Sequence, residues 1–233
     1  MKKILLTAFS LFFLTVAFAQ TEVSVAFNSG LFSFGGSSAA KTSFIIVGSE
    51  NNYTNNPYGE KNGFVYGLSA NAKHIFVNHF LVGLDLGYEA MSSKIDIDFA
   101  STYATGSSYV KASGESKLTT QFLNLHPNFG FRFGKYKTTL DLTAGMDIGF
   151  ILKSQEKGEA KIADGTVYAT DGDRKNLKTD LRPRIQLTAN YQKFCVYAGY
   201  SYGLSNYLEG MIGGGPWEAH SRVIRFGVAY RIN

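Results

Sequence analysis

Thr138-Thr-Leu-Asp-Leu-Thr-Ala-Gly-Met-Asp-Ile-Gly-Phe-Ile-Leu152 sets Leu140, Leu142, Ala144, Met146, Ile148, Phe150 and Leu152 on one face, and Thr139, Asp141, Thr143, Gly145, Asp147 and Gly149 on the other. Successive side chains leave a β-strand on opposite faces, so a period of two reads as a strand. Soluble strands usually stop well short of this length.

The same alternation returns on both sides of this stretch. Residues 119–133 set Leu123, Leu125, Phe129, Phe131 and Phe133 against Asn124, His126, Asn128, Gly130 and Arg132. Residues 179–191 set Leu181, Ile185, Leu187, Ala189 and Tyr191 against Asp180, Arg182, Arg184 and Gln186. Residues 63–74, 80–90, 194–204 and 222–232 repeat the pattern, and a weaker strand at 22–34 carries Val23, Val25, Phe27 and Leu31, which makes eight. Beyond residue 20 no apolar run is long enough to cross a bilayer as a helix.

Alternation alone does not say which face points inward, because a soluble lipocalin-like barrel and an outer-membrane barrel are inside-out relatives. The polar faces here are rich in glycine (Gly67, Gly83, Gly87, Gly130, Gly145, Gly149, Gly199, Gly203, Gly227), which suits a crowded lumen better than a solvated exterior. Tight links at 75–79, 134–136 and 191–193 alternate with long ones at 35–62, 91–117, 153–178 and 205–219, the asymmetry of short periplasmic turns and long extracellular loops. Aromatic residues gather near the strand ends on the apolar face. Phe80, Phe131, Phe133, Tyr136, Tyr191, Phe194 and Tyr230 lie toward the turns, and Phe64, Tyr66, Tyr88, Phe150, Tyr200 and Tyr202 toward the loops, as two interfacial girdles. The expected fold is an all-β, eight-stranded antiparallel up-and-down transmembrane barrel with four long extracellular loops. Pro127 and Pro183 fall inside strands, where each removes a ladder donor, and are expected to mark bulges at one level of the wall.

Composition narrows the classes. One cysteine, Cys195, allows no internal disulfide, and 18% charged residues is too few for a disordered chain of 233 residues. The formal charge is +5, of which Lys2 and Lys3 contribute two; no Lys/Arg-rich run exists, so nucleic acid is not an expected partner. Lys2-Lys3, the apolar stretch from Ile4 to Phe18 and Ala17-Phe18-Ala19 before Gln20 read as a signal peptide over residues 1–19, with cleavage marked by Ala17, Ala19 and Gln20 and a barrel domain over 20–233.

At this point the chain resembles the small outer-membrane β-barrels of Gram-negative bacteria, the OmpA/OmpX-like and porin-family (PorT-like) domains. The resemblance is carried by Phe122-Leu-Asn-Leu-His-Pro127, Tyr200-Ser-Tyr-Gly-Leu-Ser-Asn206 and Arg225-Phe-Gly-Val-Ala-Tyr-Arg-Ile232. It implies an outer-membrane location with both termini periplasmic, contact with outer-membrane lipid and little about a ligand. Arg225, Gly227, Tyr230 and Ile232 resemble the C-terminal signal read by the outer-membrane assembly machinery, although the family pattern more often ends on an aromatic and here Asn233 follows Ile232.

Eight strands leave a lumen just wide enough for side chains to fill. The lumenal charges would be Lys73, Arg132, Arg182, Arg184, Arg225 and Arg231 against Asp85, Glu89, Asp141, Asp147 and Asp180, a nearly neutral set that persists in burial only when paired. A salt-bridged plug is the expectation, with a narrow channel for small solutes as the alternative.

Enzymatic readings rest on four histidines. His74 and His79 flank a turn, and His126 shares the polar face with Asn124 and Asn128 without a nucleophile beside it. His220-Ser221 is the best rim candidate for a lipid-modifying enzyme, but neighbouring strand residues point to opposite faces. Asp171-Gly-Asp173 lacks the further oxygen ligands of a calcium loop, and no cofactor is expected. The expectation is a monomeric, non-enzymatic barrel with a structural or surface-interaction role. Phe44-Ile-Ile-Val47 and Lys94-Ile-Asp-Ile-Asp-Phe99 would stiffen the loops or offer a sheet edge to a surface protein partner, and Trp217 follows the flexible run Gly213-Gly-Gly-Pro216.

Overall fold

The computed structural model describes residues 21–102, 108–135, 137–174, 177–210 and 217–232. Its elements are β1 (Thr21–Gly35), β2 (Thr42–Val47), β3 (Tyr53–Thr54), β4 (Lys61–Ile75), β5 (Phe80–Thr102), β6 (Ser108–Lys135), β7 (Thr138–Ile162), β8 (Val167–Asp173), β9 (Thr179–Tyr191), β10 (Phe194–Tyr202) and β11 (His220–Arg231). Eight of them close a ring, β1-β4-β5-β6-β7-β9-β10-β11 and back to β1, with every ring pair antiparallel. Closure comes from β1 on β11, where Ser24 faces Arg231 and Gly35 faces His220. The described residues at both ends of the chain lie at the end of the barrel that carries the tight turns.

The ring is inside-out relative to a soluble protein. Phe64, Leu68, Phe131, Phe194, Val196 and Phe226 are exposed on its outer wall, whereas Asp141, Asp147, Asp180, Arg182 and Arg225 are buried within. The girdle aromatics Phe131, Phe133, Tyr191, Phe194 and Tyr230, and at the other end Phe64, Tyr66, Tyr88, Phe150 and Tyr200, all stand exposed. Tyr136 lies outside the described residues.

Two of the long connections prove to be strand for most of their length. β5, β6 and β7 run far past the hydrophobic band, and their partners change as they do. β4 pairs with β5 as far as Lys61 opposite Lys94; from Asp96 onward β5 takes β2 as a parallel partner. β7 leaves β9 at Phe150 and pairs with β8 from Gln155 to Lys161. The result is an upper sheet of order β3-β2-β5-β6-β7-β8. Between its outer strands, Asn52 Nδ2 donates to the Ala169 carbonyl at 3.0 Å and Arg174 Nη2 to the Thr54 carbonyl at 2.6 Å. Buried Glu156 accepts from the Thr54 backbone N–H at 2.8 Å and from Arg174 Nε at 2.6 Å. The edge that the hairpin extension would have exposed on β5 is therefore covered by β2.

The prolines are not at bulges. Register between β6 and β7 is the same before and after Pro127, with Leu125 opposite Ile148 and Asn128 opposite Gly145, while the pairs between them are missing. Even-numbered residues of β6 send their N–H toward β5, as Arg132 does to the His79 carbonyl, so the donor that Pro127 lacks would have faced this gap. Pro183 stands opposite Met146 at the same level, and the β9–β10 pairing stops one residue away at Arg184. On the β10 side the Leu181 carbonyl accepts from the Leu204 N–H and its own N–H donates to Ser205 Oγ, so the alternate residue Pro183 would have donated there too. At each proline the ladder toward that neighbour is interrupted, as the loss of its donor requires. The bulges fall elsewhere, as at Leu152 of β7, which lets Ile151 stay inside while Leu152 and Lys153 both face out.

The orientation predicts a labelling pattern. In a Cys195→Ser background, cysteines placed at Ser113 and Lys117 should react with a membrane-impermeant maleimide on intact cells, and cysteines at Phe131 and Val196 should not. The same protein should show a heat-dependent mobility shift on a detergent gel.

Candidate functional site

The narrow ring brings the inward side chains of all eight strands within reach of one another, and they sort into tiers. Nearest the turns, Arg132 makes a bidentate pair with Glu22, both bonds 2.8 Å, and a second pair with Asp141, Nε to Oδ1 2.7 Å. Lys73 reaches Asp141 at 2.6 Å and Arg231 reaches Glu22 at 2.9 Å. Above this tier is a polar cavity of about 60 Å³ lined by Asn71, Asp85, Thr143, Gln186, Cys195 and Tyr197 among others, room for a few waters. Asp85 pairs with His126 Nδ1 at 2.9 Å on its wall.

At mid-height Arg225, 1% exposed, sits between two carboxylates: Nη1 is 2.8 Å from Asp147 and Nη2 2.9 Å from Glu89. Arg184 approaches Asp147 at 3.3 Å, and Ser201 donates to Asp147 at 3.0 Å. In the next tier Arg182 lies 3.2 Å from Asp180, donates to Asn124 Oδ1 at 2.6 Å and rests over the Phe122 ring at 4.6 Å. Asp180 also accepts from Ser221 at 2.7 Å and from Tyr207 at 2.8 Å. Burial pushes the Tyr207 hydroxyl well above the usual phenol range, so it stays protonated as a donor.

An apolar cluster, a stopper in form, lies above the charges. Phe32, Phe34, Tyr58, Val65, Met91, Leu118, Phe122, Ile151, Tyr207 and Val223 form one buried cluster. Phe34 meets Phe32, Tyr58 and Tyr207 edge-on with ring centroids about 5 Å apart. Higher still, Ile45, Ile95, Ile97, Ala100, Ala112 and Ala160 form a second cluster inside the upper sheet.

Residues 18–209 match the family described as outer membrane protein beta-barrel domain. The chain belongs to this family. It is an outer-membrane β-barrel protein of a Gram-negative bacterium. Among solved structures it is similar to Ail, the attachment invasion locus protein of Yersinia pestis, at 14% identity and a TM-score of 0.39, covering 92% of this chain and 100% of that one. It is similar also to Neisserial surface protein A at 11% identity and a TM-score of 0.39, with 91% and 99% covered. The outer membrane protease OmpT of Escherichia coli gives 11% identity and a TM-score of 0.40, with 91% and 96% covered. A comparison with curated proteins finds no match.

Within this outer-membrane barrel, Lys73, Asp85, Glu89, Arg132, Asp141, Asp147, Asp180, Arg182, Arg184, Arg225 and Arg231 all face the lumen, each with a partner within 4 Å. Sequence reasoning missed Glu22, which the alternation of Val23, Val25 and Phe27 would have placed inward, and Tyr197, whose parity in β10 is that of Cys195 and Ser201. Gly227 is the counterpart of Tyr197: a Cβ there would meet the Tyr197 ring at 2.1 Å. Of the terminal-strand residues, Arg225 and Gly227 are committed inside while Tyr230 and Ile232 are exposed. Ala17, Ala19 and Gln20 lie outside the described residues, as do residues 213–216.

The histidines are dispersed. His220 Nδ1 meets the Ser205 carbonyl at 3.1 Å and its ring stacks on Tyr202, whereas Ser221 points into the lumen toward Asp180. His79 adopts a left-handed φ of 67° in its turn, and His74 contacts Thr21. No group of three or more His, Cys, Asp or Glu side chains is gathered for a metal among the described residues.

Removing one member of a buried ion pair leaves an uncompensated charge, at about 3–5 kcal/mol. Arg225→Ala, which strands Glu89 and Asp147, should lower the unfolding free energy in urea by that order, and Arg231→Ala, at the wetter end, by clearly less. Unfolding of the refolded barrel in detergent, followed by the mobility shift, measures both.

Proposed function

We propose that the protein is a closed outer-membrane barrel with a structural or surface-interaction role, in which the ring anchors and the upper sheet is displayed outside the cell. The observation that carries this reading is the filled lumen. Paired charges from Glu22 up to Asp180 occupy the hydrocarbon-level interior, and an aromatic stopper around Phe34 sits on top of them. A solute crossing the ring would have to break buried ion pairs and then displace close-packed rings.

The upper sheet supplies the surface for contact. Tyr53, Phe99, Tyr109 and Val167 are exposed on it, well beyond the girdle. On this reading residues 1–19 are removed on export, both termini remain periplasmic, and Arg225, Gly227, Tyr230 and Ile232 serve the assembly machinery. The barrel acts as a monomer, and a protein partner docks on the displayed sheet. A rim enzyme is disfavoured because His220 and Ser221 face apart and neither has a catalytic neighbour.

Purified barrel in a planar bilayer should give no conductance steps, and labelled outer-membrane lipid should pass unchanged through wild type and His220→Ala alike. Regular conductance steps would overturn the closed reading. Lipid turnover that His220→Ala abolishes, with the heat shift retained, would overturn the non-enzymatic one.

A further inference from the structure

Four lysines stand side by side on the outer wall. Lys61 of β4 is directly opposite Lys94 of β5, Lys94 opposite Lys117 of β6, and Lys117 opposite Lys157 of β7. Side chains so opposed start about 5 Å apart, and like charges in that position weaken a sheet. Two residues farther from the membrane the same outer face carries the reverse row, with Asp96 opposite Glu115 and Glu115 opposite Glu159. A sheet arranged for its own stability would mix the signs within each row. Here the sign is sorted by height instead.

The lysines are only partly compensated. Lys61 reaches Asp96, Lys94 reaches Glu115 at 2.8 Å, and Lys157 reaches Asp171 at 3.3 Å. These are exposed pairs, a kind that contributes little. Among the described residues Lys117 has no carboxylate within 4 Å. Asp171 of β8, opposite Lys157, ends the basic row on its far side.

Height indicates the partner. On each strand the row follows the last large apolar side chain of the outer wall, Phe64, Tyr88, Leu123 or Leu152, by three to six residues. At the rise and tilt of barrel strands this places it roughly 8–15 Å above the hydrocarbon edge. The lysine stem lets the ammonium reach back toward the headgroup layer. Lys153, exposed below Lys157 on β7, extends the positive tier in that direction.

We propose that this row docks the phosphate groups of an anionic outer-leaflet lipid, whose acyl chains lie along the aromatic band below. The acidic row above turns the same surface away from anions farther out, which restricts the site to headgroup height. The inference rests on the membrane orientation of the barrel and is independent of whether the lumen conducts.

The test reconstitutes the mature barrel in phosphatidylcholine vesicles with and without a minor share of lipid A, a bisphosphorylated glycolipid. Lipid A retained per barrel after extraction is read by native mass spectrometry at low and high salt. Lys94→Gln/Lys117→Gln should weaken retention by about five-fold per lysine removed at low salt, and the difference should shrink at high salt. Lys94→Arg/Lys117→Arg should retain wild-type binding. Lys111→Gln/Lys161→Gln, which removes lysines beyond the acidic row, should leave it unchanged. The heat-dependent mobility shift establishes that each variant is folded. Equal retention by the Gln double variant, or an equal loss in the Lys111/Lys161 control, would overturn the proposal. So would displacement of lipid A by inorganic phosphate alone, which would mark a site for free anions.

Discussion

Every backbone N–H and C=O within hydrocarbon must find a partner in the protein, since no water is there to serve it. For a β structure that constraint means closure, and closure here depends on the pairing of β1 with β11, the described strands nearest the two ends of the chain. The prolines mark where the ladder departs from this rule. Pro127 and Pro183 flank Met146 at one level, and in both cases the neighbouring ladder is interrupted where the donor is missing.

Closure with eight strands fixes the next level of organisation. Eight strands leave an interior just wide enough for side chains to fill, and parity makes it too polar for an oil-like core. The inward side chains therefore had to neutralise one another, and the partners come from distant parts of the chain. Arg225 of β11 joins Glu89 of β5 and Asp147 of β7, and Arg132 of β6 joins Glu22 of β1. Such pairs are weak evidence for net stability, because desolvation offsets their attraction. They do penalise any strand register that would leave one charge alone, since a slip of one residue would send these side chains into lipid.

How much of this was legible follows from the contrast between the two faces. In β7 from Leu140 to Phe150 that contrast is sharp, and strand, face and lumenal charges could be read directly. In β6 from Lys111 to Leu118 the inner face is Ala112, Gly114, Ser116 and Leu118 and the outer one is polar, so the alternation is faint and reads as loop as far as residue 117. The aromatic stopper was half legible. Phe32, Phe34 and Phe122 lie on the inward parity of their strands, but Tyr58 and Tyr207 arrive from connecting segments whose path no periodicity records. The sorting of lysines and acids by height was invisible for another reason: it exists only once the register of four strands is known.

The same strands thus obey two opposite burial rules along their length. β5 places Leu84 and Leu86 outward and Asp85 and Glu89 inward at membrane height, then Ile95 and Ile97 inward with Asp96 outward above it. No turn separates the two regimes, and the side-chain parity of the strand does not change between them. Only the solvent outside changes, from hydrocarbon to water, and the residues on each face change with it. The handover also coincides with the exchange of partners, where β4 gives way to β2 beside β5 and β9 to β8 beside β7. An eight-stranded ring with a charged interior can therefore continue upward into a smaller sheet with an ordinary apolar interior, the stopper around Phe34 being the junction between them. The stopper belongs physically to the upper structure: it is held by hydrophobic burial, which operates only where water is the alternative.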